Sequence, residues 1–317
     1  MRVHIDPATA PPAEIEGAFR SALDPHITWT TGALDAPGDH RVLVSGNPSD
    51  ALLDASPHAE VLIVPWAGVG RRVAAVARQR GLALHNLHHN AAPTAELAVA
   101  LLLAVAKDLP RMHAELAAGD WRGRYDLTRA LGLAGRSALL VGWGAIGQRI
   151  GRALEGLGMR VVRVARRARD GVHGIDELDV LLPGADALVL STPLTAETRG
   201  LLDARRLALL PARAVLVNVG RGALVEEVAL FDALEARRLF GAGLDVWYRY
   251  PGAADDRGDF PPASRPFGAL PNVVLSPHRG GHVAETESAR FAALAATLNA
   301  AARGEPLPHR VDLEAGY

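Results

Sequence analysis

The feature that most constrains this chain is an alternation of short β-branched runs with longer helical patterns, repeated in two series. Val3 to Ile5, Arg41 to Ser45, Val61 to Pro65 and Leu82 to Asn86 form the first series. Ala138 to Gly142, Arg160 to Ala165, Ala187 to Thr192, Ala214 to Val219, Gly243 to Val246 and Val273 to Ser276 form the second. Strands separated by helices build βαβ units, whose crossovers keep the strands parallel and cover the faces of the sheet. The expected fold class is α/β with two mostly parallel sheets and hence two domains, as 317 residues also suggest at roughly 100 to 200 residues per domain. Between the series, Thr94 to Ala118 reads as one long Ala- and Leu-rich helix with a break near Pro110, and Val283 to Ala302 reads as a helix after the last strand. Pro251 to Pro271 is rich in Pro, Gly, Ala and Asp without a period, so it reads as a long loop, of a kind that is usually functional or disordered.

Composition narrows the chemistry. Lys+Arg 34 against Asp+Glu 35 gives a net charge of −1, which removes the electrostatic reason to expect a nucleic-acid or anionic-membrane partner. With no cysteine, disulfides, thiolate nucleophiles, zinc ribbons and iron–sulfur clusters are excluded, and no metal site is expected. The single lysine, Lys107, lies within an apolar helix pattern, so basic chemistry falls to arginine and histidine. The first residues, Met1 to Pro7, lack the apolar core of a signal peptide. The longest apolar run, Leu97 to Ala106, would reach roughly 15 Å as a helix against about 30 Å of bilayer hydrocarbon. The expectation is a soluble, cytoplasmic protein with no membrane partner.

One turn suggests a ligand. Gly142-Trp-Gly144-Ala-Ile-Gly147 follows an apolar strand and opens a helix, the context in which G-x-G-x-x-G binds a dinucleotide pyrophosphate. Gly142 would allow the tight turn, Gly144 close approach of a phosphate, and Gly147 close packing of helix on strand. The triplet alone would equally suit an ordinary strand-to-helix turn; its flanks favour the ligand. The following strand ends at Ala165-Arg166-Arg167, where an NAD site usually carries the carboxylate that bonds the ribose 2′-hydroxyl. A carboxylate is missing and two guanidiniums are present, a pattern that suits a 2′-phosphate, so NADP(H) is the preferred cofactor and NAD(H) a possible one. A solvated arginine pair is the alternative.

Taken together, Ala67-Gly-Val-Gly70, Asn86, Ala95-Glu96, the Gly142 turn, Thr192-Pro-Leu-Thr195, Asn218-Val-Gly-Arg221-Gly222, Gly243-Leu-Asp245-Val246 and Ser276-Pro-His278-Arg-Gly-Gly281 resemble the D-isomer-specific 2-hydroxyacid dehydrogenase family over nearly the whole chain. That resemblance implies a Rossmann-type doubly wound domain, residues 109–283, and a flavodoxin-like substrate-binding domain, residues 1–108 completed by 284–317. It implies hydride transfer between a small 2-oxo acid and its D-2-hydroxy acid, of the glyoxylate/hydroxypyruvate type, by a homodimer joined in part through the segment from Met112 to Tyr125. Two alternatives stay open. One is a dehydrogenase of a bulkier or phosphonate-bearing acid, suggested by Tyr250 and the Trp247-Tyr248 pair; the other is a dinucleotide-sensing binding protein with vestigial activity.

The same resemblance implies the site. Arg221, at the carboxyl end of a strand, would grip the substrate carboxylate and polarise its carbonyl, for which a guanidinium fork is suited. His278 would be the proton donor, since imidazole titrates near neutrality. Where relatives carry a glutamate before proline to support that histidine, this chain has Tyr250, and a neutral phenol can orient a ring without stabilising its cation. The amides of Gly68, Val69 and Gly70 match an anion-binding loop for the substrate, although a plain turn would read the same. The cofactor would lie against Gly142, Gly144, Ala145, Ile146, Gly147, Arg166, Arg167, Thr192, Pro193, Val219, Gly220, Asp245, His278, Gly280 and Gly281. His88 and His89 read as structural.

Overall fold

The computed structural model describes residues 1–34, 36–252 and 255–314 and divides the chain into two compact units, Met1–Asn90 with the chain from His282 onward, and Ala91–Gly281. In chain order the first unit contains β1 (Arg2–Ile5), α1 (Ala13–Ala22), β2 (Thr28–Thr31), β3 (Val42–Val44), α2 (Asp50–Asp54), β4 (Val61–Val64), α3 (Arg71–Arg80) and β5 (Ala83–Asn86). The second contains α4 (Ala91–Ala106), α5 (Leu109–Ala117), β6 (Ser137–Val141), α6 (Ala145–Gly156), β7 (Arg160–Ala165), β8 (His173–Gly174), α7 (Leu178–Leu181), β9 (Ala187–Leu190), α8 (Ala204–Leu209), β10 (Val215–Asn218), α9 (Glu227–Glu235), β11 (Gly241–Leu244) and β12 (Val273–Leu275). The chain then returns to the first unit as α10 (Thr286–Ala302).

Both sheets are parallel throughout. The first runs β2-β1-β3-β4-β5, the flavodoxin-like order. Phe19 of α1 meets Phe291 of α10 at 5.2 Å between ring centres, and both pack over Val3, Ile5 and Ile63. The opposite face is covered by Leu53, Val73 and Ala77. β2 was not foreseen: Thr-Trp-Thr-Thr is β-branched, but this edge strand is mostly exposed and lacks an apolar run.

The second sheet runs β12-β11-β10-β9-β6-β7-β8, a doubly wound order whose direction reverses between β6 and β9. β9 and β10 are buried along their whole length, so Ala-Leu-Val-Leu and Val-Leu-Val-Asn read as continuous runs rather than alternations. The helix foreseen over Thr94 to Ala118 is two helices, broken at Asp108, whose φ of 50° is left-handed, while Pro110 sits in the first turn of α5 where its missing N–H costs nothing. α4 packs on this sheet: a Cβ on Gly243 would lie 2.8 Å from Cβ of Leu101, so the Gly-Ala-Gly strand is what lets the helix approach. That packing places α4 wholly in the second unit, whereas the sequence reading drew the boundary after residue 108. The long Pro251 to Pro271 loop carries Phe267, buried against Phe231, Trp247 and Tyr248; residues 253 and 254 lie outside the described residues. Among the described residues no helix is long and apolar enough to cross a membrane.

Candidate functional site

In open parallel sheets, ligands bind beyond the carboxyl ends of the strands at the point where strand order reverses. Here that point lies between β6 and β9, and β6 runs straight into the glycine-rich turn. Gly142 has φ +108°, and a Cβ there would meet the Ser191 and Thr192 backbone at 2.7 Å. A Cβ on Gly147 would fall 1.9 Å from the Gly142 carbonyl oxygen, so only glycine lets α6 start this close to the strand. Gly144 caps α6 without a side-chain hydrogen bond, and nothing lies within 4 Å of where its Cβ would be. The result is an open cradle at a helix N-terminus with amides free of side-chain capping, which fits a pyrophosphate.

Three neighbouring strand exits are tied to each other. At the end of β10, buried Asn218 accepts from the Gly220 N–H at 3.1 Å through its side-chain oxygen and donates to the Arg221 carbonyl at 2.9 Å, fixing the turn that presents Arg221. The Arg221 side chain is exposed. Asp245, one residue beyond β11, donates its amide to the Asn218 carbonyl at 3.1 Å. Its carboxylate is 1% exposed and accepts from Ser276 Oγ at 2.5 Å, from the Arg279 N–H at 2.7 Å and from the Gly280 N–H at 3.0 Å. Those bonds bracket His278, whose φ of 58° is left-handed and costs a non-glycine residue of order 1 kcal/mol. Strained residues held in place by their surroundings cluster at active sites and ligand clamps.

Tyr250 completes the cluster. Its ring centre lies 5.5 Å from that of His278, and its hydroxyl oxygen accepts from the Trp247 N–H at 3.0 Å, which leaves the O–H proton to donate. Burial pushes the phenol's pKa up, outweighing the Trp247 amide and the charge of Arg221, so Tyr250 is neutral at physiological pH. Trp247 and Tyr248 instead pack on Phe267, and the Trp247 indole N–H donates to the Ser276 carbonyl at 2.8 Å. They shape the loop from inside the core. Arg221, Tyr250, Asp245 and His278 thus share one end of the second sheet with the glycine turn, and with Thr192, Pro193, Val219, Gly220, Gly280 and Gly281, which leave or follow the same strand ends.

Arg166 and Arg167 follow β7, as expected, and both are exposed. The Arg166 fork is engaged by Glu197, with Nε and Nη2 each 3.1 Å from one carboxylate oxygen. Sequence reasoning missed this partner because it lies 31 residues away with no motif linking the two. Asn218 and Ser276 likewise stand in the sequence only as parts of motifs; their bonding roles depend on which strands are neighbours. In the first unit, Ala67 to Gly70 connects β4 to the N-terminus of α3, and Asn86 at the end of β5 donates to the Ala67 carbonyl at 2.7 Å. Gly70 caps α3 without a side-chain bond. The His88 ring lies against that of His309 within the same unit, centres 4.1 Å apart and tilted by 33°, and burial beside Arg290 lowers the pKa of His89.

The model of the D-isomer specific 2-hydroxyacid dehydrogenase, NAD binding domain, matches residues 99–280. The chain belongs to this family. It is 31% identical over 282 residues to the glyoxylate reductase of Thermococcus litoralis, covering 85% of this chain and 82% of that one. The chain spans about half the length of the D-3-phosphoglycerate dehydrogenases it matches, 51% for that of Methanocaldococcus jannaschii, at 30% identity over 84% of this chain. Among solved structures, a D-isomer specific 2-hydroxyacid dehydrogenase from Xanthobacter autotrophicus Py2 in complex with NADPH and MES has a TM-score of 0.78 at 27% identity, covering 99% of this chain and 100% of that one. An NADPH-dependent glyoxylate/hydroxypyruvate reductase from Sinorhizobium meliloti in complex with NADP and malonate has a TM-score of 0.72 at 26% identity, over 99% and 97%.

Proposed function

We propose that the protein reduces a small 2-oxo acid of the glyoxylate/hydroxypyruvate type to its D-2-hydroxy acid with NADP(H), NAD(H) being the second cofactor. The observation that carries this reading is the grouping of Arg221, Tyr250 and His278 at the carboxyl ends of β10, β11 and β12, the same end of the sheet as the Gly142 turn. The glyoxylate reductase likeness and the NADP-bound structural relatives support the substrate class and the cofactor.

When bound, the nicotinamide cofactor supplies the hydride. Gly142, Gly144, Ala145, Ile146 and Gly147 would hold its pyrophosphate, Arg166 and Arg167 its 2′-phosphate, and Thr192, Pro193, Val219, Gly220, Asp245, Gly280 and Gly281 would line it. Arg221 holds the substrate carboxylate and polarises the keto oxygen, and His278 delivers a proton to that oxygen as it becomes a hydroxyl. Tyr250 donates a hydrogen bond and orients the ring. Within the first unit, the amides of Gly68, Val69 and Gly70, ahead of the N-terminus of α3, are suited to an anion such as a carboxylate. The buried packing of Trp247 and Tyr248 removes much of the ground for a bulkier acid. A homodimer is supported by Leu109, Leu116, Trp121, Tyr125 and Leu127, which are 50–89% exposed in one segment of the second unit.

The test is oxidation of NADPH with a panel of 2-oxo acids. His278→Asn, which tolerates the left-handed backbone, should lower turnover about 10²- to 10⁴-fold with nucleotide affinity kept. Arg221→Ala should raise KM and lower kcat. Full activity in either variant would refute the assignment, and a wild-type protein that binds NADPH but reduces none of the acids would point to the binding-protein alternative.

A further inference from the structure

We propose that Glu197 is a coenzyme-specificity determinant, competing with the 2′-phosphate of NADP(H) for Arg166; this rests on the dinucleotide-binding reading above. In sheet order β7 and β9 flank β6. Arg166 follows β7, and Glu197 lies in the segment that follows β9. Their ion pair therefore spans the exit of β6, where the Gly142 turn begins. It is a two-point fork, Nε to Oε2 and Nη2 to Oε1, both at 3.1 Å, the same donor geometry that grips a phosphate.

The base beneath Glu197 is fixed. Thr195 and Thr198 close the turn on either side of it, the Thr195 N–H donating to Thr198 Oγ1 at 2.8 Å and the Thr198 N–H to Thr195 Oγ1 at 3.2 Å. Buried Thr198 donates in turn to the Pro193 carbonyl at 2.7 Å. The carboxylate itself is 61% exposed, so it can swing away from Arg166 at little cost. Glu197 thereby returns to this end of the sheet the acidic group that Ala165-Arg166-Arg167 lacks. A 2′-phosphate must displace it from the fork, or bind beside a like charge. A ribose 2′-hydroxyl meets a ready acceptor. Arg167 follows directly on Arg166, is exposed and makes no ion pair among the described residues, which leaves it available as a second cation for a phosphate.

The experiment is calorimetric titration of the full chain with adenosine 2′,5′-bisphosphate and with 5′-AMP, which differ by the 2′-phosphate. An exposed ion pair is worth up to about fivefold in an equilibrium, and loss of a like charge adds to this. Glu197→Gln should therefore tighten the bisphosphate about three- to tenfold and leave 5′-AMP within about twofold. In an Arg166→Ala background the same change should gain nothing. An unchanged or weakened bisphosphate affinity in Glu197→Gln would overturn the proposal, as would a gain that persists without Arg166. Wild-type protein that bound neither nucleotide would remove the dinucleotide reading and this inference with it; binding of both with a ratio insensitive to residue 197 would remove this inference alone.

Discussion

Asp245→Asn tests whether the site is held by a buried carboxylate. Its oxygens accept three hydrogen bonds, from Ser276 Oγ and the N–H groups of Arg279 and Gly280, in a pocket leaving it 1% exposed. Hydrogen bonds to an ionised acceptor contribute about 1.5–3 kcal/mol and neutral ones about 0.5–1.5, so neutralising the group weakens each by about 1 kcal/mol. The new amide also turns an N–H toward a backbone donor, leaving one buried N–H unmatched at about 1–3 kcal/mol. Relief of burying a charge offsets part of this, and a net loss of about 2–4 kcal/mol is expected. At about 2–4 °C per kcal/mol for a domain of this size, the melting transition of the second unit should fall by roughly 4 to 16 °C in calorimetry. The left-handed turn at His278 loses its clamp, and misplacement of a catalytic group by about 1 Å costs on the order of 10²-fold, so kcat should drop by that factor, and NADPH affinity should fall as well, since Asp245 is placed against the cofactor. If Asp245→Asn kept both its melting temperature and its kcat, the carboxylate would not be what positions His278. A variant that lost NADPH affinity with kcat and melting temperature unchanged would show that Asp245 serves the cofactor and does not position His278.

Two further outcomes follow from titratable groups. Tyr250 is a neutral phenol across the physiological range because burial raises its pKa; a carboxylate in its place would favour the imidazolium of His278, a change commonly of about 1–3 pH units. Tyr250→Glu should therefore move the descending limb of the kcat/KM profile for 2-oxo acid reduction to higher pH, and a limb that stayed put would exclude contact of residue 250 with the proton donor. In the first unit, burial lowers the pKa of His4, beside His40 and Asp6, of His40, beside Asp39 and Arg2, and of His85, beside Arg310. Their folded-state values lie below the ordinary 6.5, so the unfolded chain binds more protons as pH falls through 6.5 toward those values, and stability drops over that window by at most about 1.4 kcal/mol per pH unit for each ring. Circular dichroism melts at pH 7.5 and 5.5 should show the first unit destabilised first, and His4→Gln should blunt the effect; equal melting at both pH values would refute it.

The sequence by itself determined the α/β class, most strands of both sheets and the glycine turn, because these depend on local patterns: continuous apolar runs for buried parallel strands, and a positive φ that only glycine adopts readily at position 142. It also brought Arg221 and His278 forward as candidate chemical groups, since each follows a strand within a motif that resembles the family's. What it could not supply was anything fixed by which strands lie side by side. Asn218, Asp245 and Ser276 form a single brace only because β10, β11 and β12 are neighbours. The Trp247-Tyr248 pair, with Tyr250, suggested a bulkier acid, and only the fold shows that the first two rings pack on Phe267 from an aperiodic loop. At the end of β7 the local reading found two arginines and no carboxylate, whereas the reversal of strand order around β6 brings Glu197 from 31 residues away onto Arg166. Periodicity and turn chemistry act over a few residues and are written along the chain; charge pairing and bracing act through space, and the order of the strands decides them.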